Sequence, residues 1–431
     1  MPTAFRFLTI LLAAIPVLAL TDDWLVRDVS AFAAALLLLL SFGASQDDLR
    51  ITVRLLRPIL PAVLFPIAWM VFQIAPLNPL ANSIWPTASI ALGEPLLGHI
   101  SIDPGATIQS LFAYLTMVSL MIMTMVFTRD RERAETTLFV TCAVTAFMSL
   151  EVLLGQLQHF AGVVPAPGSP GAATFVAVSV LGAVLNVAAA VRIIERRLSR
   201  REEAQVVRSV LVFSLALIGS AICLGAALIA GGSNILIVTA FGIAVIVIIG
   251  TIRLIALGPL AAGALFALLA LSAIATVGLR VEGSTAVQPI LRFATSASAD
   301  SLSVTQRALS DVKWLGSGAG TFDALVPIYR DFGAKPSIEP ASTMTAITIE
   351  WGWAALIAFL VIAIQLFVVT FGGGLRRGRD WFFPGAASAC VIASFCEAFC
   401  DSSLVHPSSQ ILVAIILGLG ISQSVGRTSG L

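Results

Sequence analysis

Long apolar runs that are nearly free of charge constrain this chain more than any other feature. Ten stand out: Pro58–Pro76, Thr107–Phe127, Thr136–Gln156, Ala172–Val191, Ser209–Ala230, Ile235–Ile252, Pro259–Leu279, Trp353–Phe371, Phe382–Phe399 and Gln410–Ser424. A helix advances about 1.5 Å per residue, so about twenty apolar residues cross the ~30 Å of hydrocarbon in a bilayer. Two shorter runs, Phe7–Leu20 and Val29–Gly43, flank Asp22-Asp23-Trp24 and read as a helical hairpin. The expected fold is all-α: a polytopic transmembrane helix bundle of about twelve helices. It forms one membrane domain over residues 1–431.

Composition agrees. Charged residues make up 11% of the chain, hydrophobic residues 58%, and the mean hydropathy is +0.98. A soluble domain carries about a quarter charged residues to face water. The net charge of +1 gives no pull toward nucleic acid. All five cysteines (Cys142, Cys223, Cys390, Cys396, Cys400) fall in apolar stretches and read as small packing residues. Cys396 and Cys400 share a helix face, but their surroundings do not suggest a metal set, and no metal or other cofactor is expected. Phe7–Leu20 follows Arg6 as a signal peptide would. Leu18-Ala19-Leu20 is nevertheless a poor cleavage site, so the run is expected to stay as the first membrane helix.

The basic residues set an orientation. With both termini inside, eighteen of the 25 arginines and lysines fall on inner segments, among them Arg50, Arg54, Arg57, Arg129, Arg131, Arg133, six between Arg192 and Arg208, Arg253, and Arg376, Arg377 and Arg379. The short outer loops after Pro76, after Gln156 and around Gly231–Asn234 carry none. This is the positive-inside pattern of a multi-pass membrane protein with both termini on the cytoplasmic side.

One large extracytoplasmic loop, residues 280–341, escapes the pattern. It holds Arg280, Arg292, Arg307, Lys313, Arg330 and Lys335, balanced by six acids. Long translocated loops are exempt from the charge rule, so a solvated domain is one reading. A functional loop is the other, because some sixty residues without a role are uncommon in a tight bundle. Within the loop, Trp314-Leu315-Gly316-Ser317-Gly318-Ala319-Gly320-Thr321-Phe322 places glycine at alternate positions. Such a segment makes either a plain turn into a helix or a nest of backbone N–H groups for an anion. It is not a nucleotide fingerprint. Glu350-Trp351-Gly352-Trp353 follows, with tryptophans suited to the membrane surface and Glu350 at headgroup level.

Three segments carry a family resemblance. Gly316–Phe322 with Pro327-Ile328-Tyr329-Arg330 and Glu350-x-Gly352 is the first. Ile100-Ser101-Ile102-Asp103-Pro104 with Thr107 is the second, and Asp401-Ser402-Ser403-Leu404-Val405-His406-Pro407 is the third. Together with the topology they resemble the O-antigen polymerase and O-antigen ligase superfamily, in its exopolysaccharide polymerase-type branch. Two features depart from it. The His-Asn pair usual about ten residues before Glu350 is replaced by Glu339-Pro340-Ala341-Ser342-Thr343, and Gly232-Ser233-Asn234 lacks the arginine of many members.

The resemblance implies a membrane glycosyltransferase without metal or nucleotide. It would polymerise polyprenyl-diphosphate-linked oligosaccharide repeat units at the outer face of the inner membrane. Its partners would be that lipid-linked glycan, membrane lipid and other polysaccharide export proteins. Such transfer needs cations for the leaving diphosphate and a base for the acceptor hydroxyl. Arg307 and Arg330, flanking the glycine motif, are the first choices for the diphosphate, with Arg292 and Lys335 behind them. Glu339 is the first choice of base and Glu350 the second. Gly316, Gly318, Gly320 and His406 are further substrate contacts. Bland roles stand beside these: solvated or capping carboxylates, and a packing histidine. Glu397 and Asp401 read as a functional intramembrane pair or a half-exposed interfacial one. Alternative functions are ligase-type transfer, transport or flipping of a lipid-linked glycan, and a non-catalytic assembly role.

Overall fold

A computed structural model of the chain describes residues 2–41, 46–156, 172–199, 204–255, 289–294, 297–333 and 338–425. Within them are fourteen α-helices and no β-strand, apart from an isolated bridge between Pro76 and His99. The helices are α1 (Pro2–Leu18), α2 (Asp23–Ser41), α3 (Gln46–Leu56), α4 (Leu60–Ile74), α5 (Ile84–Leu92), α6 (Pro104–Phe127) and α7 (Arg131–Gln156), followed by α8 (Ala172–Ser199) and α9 (Ala204–Leu254). Then come α10 (Ala299–Asp311), α11 (Phe322–Tyr329), α12 (Thr343–Arg376), α13 (Phe382–Cys400) and α14 (Pro407–Ser422). Among the described residues, nine stretches are long and apolar enough to cross a membrane, and two shorter apolar helices lie near the ends of the chain. The expected span Pro259–Leu279 lies outside the described residues, as do Arg280 and Lys335.

The expected spans Ser209–Ala230 and Ile235–Ile252 fall on the single helical stretch α9. Straight, its 51 residues would reach about 76 Å, far beyond a bilayer. The stretch instead doubles back. A Cβ on Gly219 would meet Asn186 of α8, and one on Gly242 would meet Val184, two residues away on the same helix. Residues 219 and 242 therefore flank α8 at the same level, which requires a reversal between them. The apolar windows Ser209–Gly231 and Asn234–Leu254 are its two limbs.

Helix α8 is the axis of the bundle. In its apolar window 89% of residues are buried, against 17% for α12. Alanine, valine and glycine fill α8, and their small side chains let neighbours approach closely: Gly182 abuts Thr145 and Cys223. Buried hydroxyls on these helices bond back to their own backbone, as Ser179 does to the Phe175 carbonyl at 2.7 Å. On the perimeter, α12 exposes Ile357, Leu360, Val361, Ile364 and Val368. That spacing makes one continuous apolar stripe, a surface suited to lipid and not to water.

Two polar assemblies lie at opposite ends of α12. One surrounds Glu350; the other surrounds Arg377, about 40 Å along the helix axis. At the second, Arg131 pairs with Glu135 at 3.0 Å and with Asp380 at 2.8 Å, and Arg192 joins Glu135. Arg253 donates to the backbone carbonyl of Gly374 at 3.2 Å, and Arg377 donates to that of Gln423. Arginines that the sequence places on one face thus gather at one end, where they close the helix termini.

Helix α12 begins earlier than the apolar pattern indicates. Ser342 and Thr345 form a capping box, so the segment from Thr343 is helical and buried. The helix breaks at Gly352, with φ 85° and ψ 169°, and then resumes.

Candidate functional site

The glycine motif folds against the break in α12. The Ser317 N–H donates to the Ile349 carbonyl at 3.1 Å, the Gly318 N–H to the Glu350 carbonyl at 2.8 Å, and the Ala354 N–H to the Trp314 carbonyl at 3.3 Å. Gly316, Gly318, Gly320 and Gly352 all have positive φ. Close approach as well as turning requires glycine here. A Cβ on Gly318 would fall 2.2 Å from Ser101 Oγ, and one on Gly320 would fall 2.2 Å from Ser110 Oγ. Ile102 N–H donates to the Ser317 carbonyl at 2.8 Å. The segment that opens α6, capped by Asp103 with Pro104 in its first turn, is thereby locked to the glycine motif.

The pin through this assembly is Gln73, fully buried at the end of α4. Its Nε2 donates to the carbonyls of Leu315 at 3.0 Å and Glu350 at 2.9 Å, and its Oε1 accepts from Ala319 N–H at 3.1 Å. The Gln73→Leu variant strands the Leu315 carbonyl and the Ala319 N–H, while the Glu350 carbonyl keeps the Gly318 N–H. Each buried unpaired group costs about 1–3 kcal/mol, so a loss on the order of 2–4 kcal/mol is expected. Thermal unfolding of detergent-purified protein checks this; an unchanged midpoint would contradict the role.

Glu350 points its carboxylate at the start of α11. Gly320 N–H donates to Oε2 at 2.8 Å and Phe322 N–H to Oε1 at 3.2 Å. A carboxylate at a helix N-terminus meets orphan N–H groups and the positive end of the dipole. Glu350 is thus a clamp that joins α12 to α11.

Beside it lies a cluster from four separate segments. His406 Nδ1 is 3.0 Å from Asp23 Oδ2, and its Nε2 is 3.6 Å from Glu339 Oε1. Ser402 Oγ donates to Glu339 Oε2 at 3.1 Å. Thr343 N–H donates to the Asp401 carbonyl at 2.7 Å. Asp323, in the first turn of α11, is near enough to feel Arg27, Glu339 and Asp23. Burial raises its pKa, Arg27 opposes the rise, and the two acids add to it. Burial likewise pushes Asp401 up to about 6, although Ser403 and His406 favour its charge and Glu339 disfavours it. Glu397 and Asp401 are 0% and 1% exposed, so the pair is interior and not half-exposed.

Burial disfavours the charge on His406, but the hydrogen bond to Asp23, the Glu339 carboxylate beside Nε2 and the charges of both acids outweigh it and push the pKa up to about 9. The raised value means that the folded state holds the proton more tightly than the unfolded chain, whose value is near 6.5. This contribution is complete below about pH 6.5 and lost as pH rises through about 9; at most it reaches about 3 kcal/mol. Asp401 has the same sign in a lower window, from about pH 4 to 6. Melting curves between pH 6 and 9.5 are expected to fall for the wild type and to flatten for His406→Gln. Equal slopes would contradict the Asp23–His406–Glu339 linkage.

The structure therefore brings Gly316, Gly318, Gly320 and Glu350 into one clasp, with Glu339 and His406 beside it. Arg307 lies elsewhere. Its guanidinium donates to the Tyr329 carbonyl at 2.8 Å and to Asp331 at 2.6 Å, at the far end of α11 from Glu350. Arg330 is exposed and closes that same end. Arg292 sits on a short 3-10 turn, Pro289–Phe293, whose Phe293 ring meets Phe399 edge-on. Lys335 lies outside the described residues. Sequence reasoning missed Gln73, Asp23, Arg27 and Asp323. Only the Asp22-Asp23-Trp24 turn hinted at any of them. Searches against protein-family models and against curated proteins find no match to this chain.

Proposed function

We propose that this chain is a membrane glycosyltransferase of the polysaccharide polymerase type, acting on polyprenyl-diphosphate-linked repeat units. One observation carries the reading. The three segments that resemble the O-antigen polymerase and ligase superfamily are far apart in sequence, yet 100–107, 316–322 with 350–352, and 401–407 meet at one end of the bundle. They meet where a lipid carrier held in the bilayer would present its headgroup. The proposed topology has twelve spans, cytoplasmic termini, and the Glu350 end on the outer face of the bacterial inner membrane; the arginine distribution supports that orientation.

In this reading the acceptor hydroxyl attacks C1 of the donor's reducing-end sugar. The C1–O bond to the diphosphate breaks as the new glycosidic bond forms, and the acceptor's proton passes to Glu339. Glu339 is suited to that role because Ser402 and His406 orient it while it remains partly exposed. Arg27 and protonated His406 face the negative charge that gathers on the departing diphosphate.

Arg27 therefore stands ahead of Arg307 as the cation at the reacting centre. Arg27→Ala is expected to lower polymer at least tenfold and leave single units on the carrier lipid, with Arg307→Ala the milder change. Polymer analysis by gel and extraction of the carrier lipid test this. A normal polymer ladder from Arg27→Ala would remove Arg27 from the role.

A further inference from the structure

An open cleft of about 560 Å³ lies on the other side of α11 from the Glu339–His406 cluster, a volume within the range of small-molecule sites. Helix geometry explains the partition. At about 100° per residue, Leu325, Ile328 and Tyr329 fall on the side of α11 opposite Asp323. Asp323 belongs to the acidic cluster, whereas the other three line the cleft. The opposite wall comes from α5, which has no buried residue, together with the turn before it, through Asn82 and Thr87. The floor is Gly316 and Ser317, the start of the same turn that binds Glu350 through Gly320.

The lining chemistry selects the occupant. Lys313 is the one cation among the lining residues and Asp311 the one acid, so a diphosphate would find too little positive charge. Neutral hydrogen-bonding groups from Asn82, Ser83 and Thr87 line the cleft together with Tyr329, whose hydroxyl donates to Asp311 at 3.0 Å. Hydroxyls, an amide, one carboxylate and an aromatic face are what a sugar needs, with its ring of hydroxyls and its apolar C–H face.

We propose that the cleft between α5, α10 and α11 binds a glycan of low charge, and that it holds the acceptor saccharide while the lipid-linked donor occupies the other side of α11. The assignment of acceptor rests on the glycosyltransferase reading; the binding of saccharide does not.

The test uses full-length protein in nanodiscs and a panel of fluorescently end-labelled neutral and acidic hexasaccharides. Wild type is expected to bind at least one of them saturably. Thr87→Trp, which fills the cleft from an exposed position, is expected to weaken that binding at least tenfold with an unchanged thermal midpoint. Asp311→Ala removes a polar contact without filling space and is expected to weaken it as well. Arg376→Gln, exposed at the far end of α12, is expected to bind as wild type does. Absence of saturable binding to every hexasaccharide, or equal affinity in wild type and Thr87→Trp, would overturn the site. Failure of the enzyme reading looks different: saccharide binding lost in Thr87→Trp, with full polymer made in cells by Glu339→Gln.

Discussion

Gly352→Ala is expected to leave little folded protein. The φ of 85° and ψ of 169° at this position lie in a region that belongs almost entirely to glycine, and holding another residue there costs of the order of 1–3 kcal/mol. Sterics add more. The new Cβ would stand 2.2 Å from the Trp314 carbonyl oxygen and 2.5 Å from the Gly316 nitrogen, and both are backbone atoms with no rotamer to yield. Gly316 faces the same problem in return, since its Cβ would meet the Glu350 carbonyl at 2.3 Å. The combined cost is expected to exceed about 4 kcal/mol, a large share of the stability of an ordinary domain. Gly93→Ala is the control. Its φ is also positive, at 72°, but nothing lies within 4 Å, so it carries the conformational cost alone, about 1 kcal/mol. Size-exclusion profiles after detergent extraction compare the two. Gly352→Ala behaving like Gly93→Ala would show that the clasp between the glycine turn and α12 does not form as described.

Glu339→Gln is the variant expected to separate chemistry from folding. The side chain is held by Ser402 and faces His406 at the edge of the cluster, so an amide of the same shape keeps the packing and loses the base. General-base removal lowers rate by about 10²–10⁴-fold, and polymer is expected to fall below detection while single carrier-linked units accumulate. Glu350→Gln makes a useful contrast. Both Glu350 oxygens accept backbone N–H groups, so an amide there must set an NH₂ against a donor, and the expected effect is lost stability in addition to lost product. Purified yield and thermal midpoint distinguish the two. Wild-type polymer from a stably folded Glu339→Gln would exclude it as the base.

Much of the fold was legible because a membrane-spanning helix is written locally, in twenty consecutive residues. The runs that became α6, α7, α8 and α13 needed no knowledge of their neighbours. The alternate glycines of 316–320 were legible for the same reason: a residue without a Cβ announces a special backbone at its own position. What the glycines approach was not legible. Gln73 ends an apolar run and reads as the edge of a span, yet its amide reaches Leu315, 242 positions away. His406 and Asp23 are 383 positions apart, so no window over the sequence joins them. Charge misled in one respect. Arg307 flanks the glycine motif in sequence, but it lies on α10, and it is held by Asp331 beyond the end of α11 opposite Glu350. Of the cations nearer the clasp, His406 was a candidate from its own segment, whereas Arg27 lies on a helix whose sequence pointed only to a hairpin.

The central claim is that this chain joins repeat units that have already crossed the membrane on their lipid carrier. Deleting the gene and identifying what remains on the polyprenyl diphosphate, and on which leaflet, tests it most directly. The account predicts single repeat units on the outer face and no polymer. Finished polymer retained on the carrier would make the protein a ligase. Single units confined to the inner face would make it a flippase, and either result would contradict the polymerase reading.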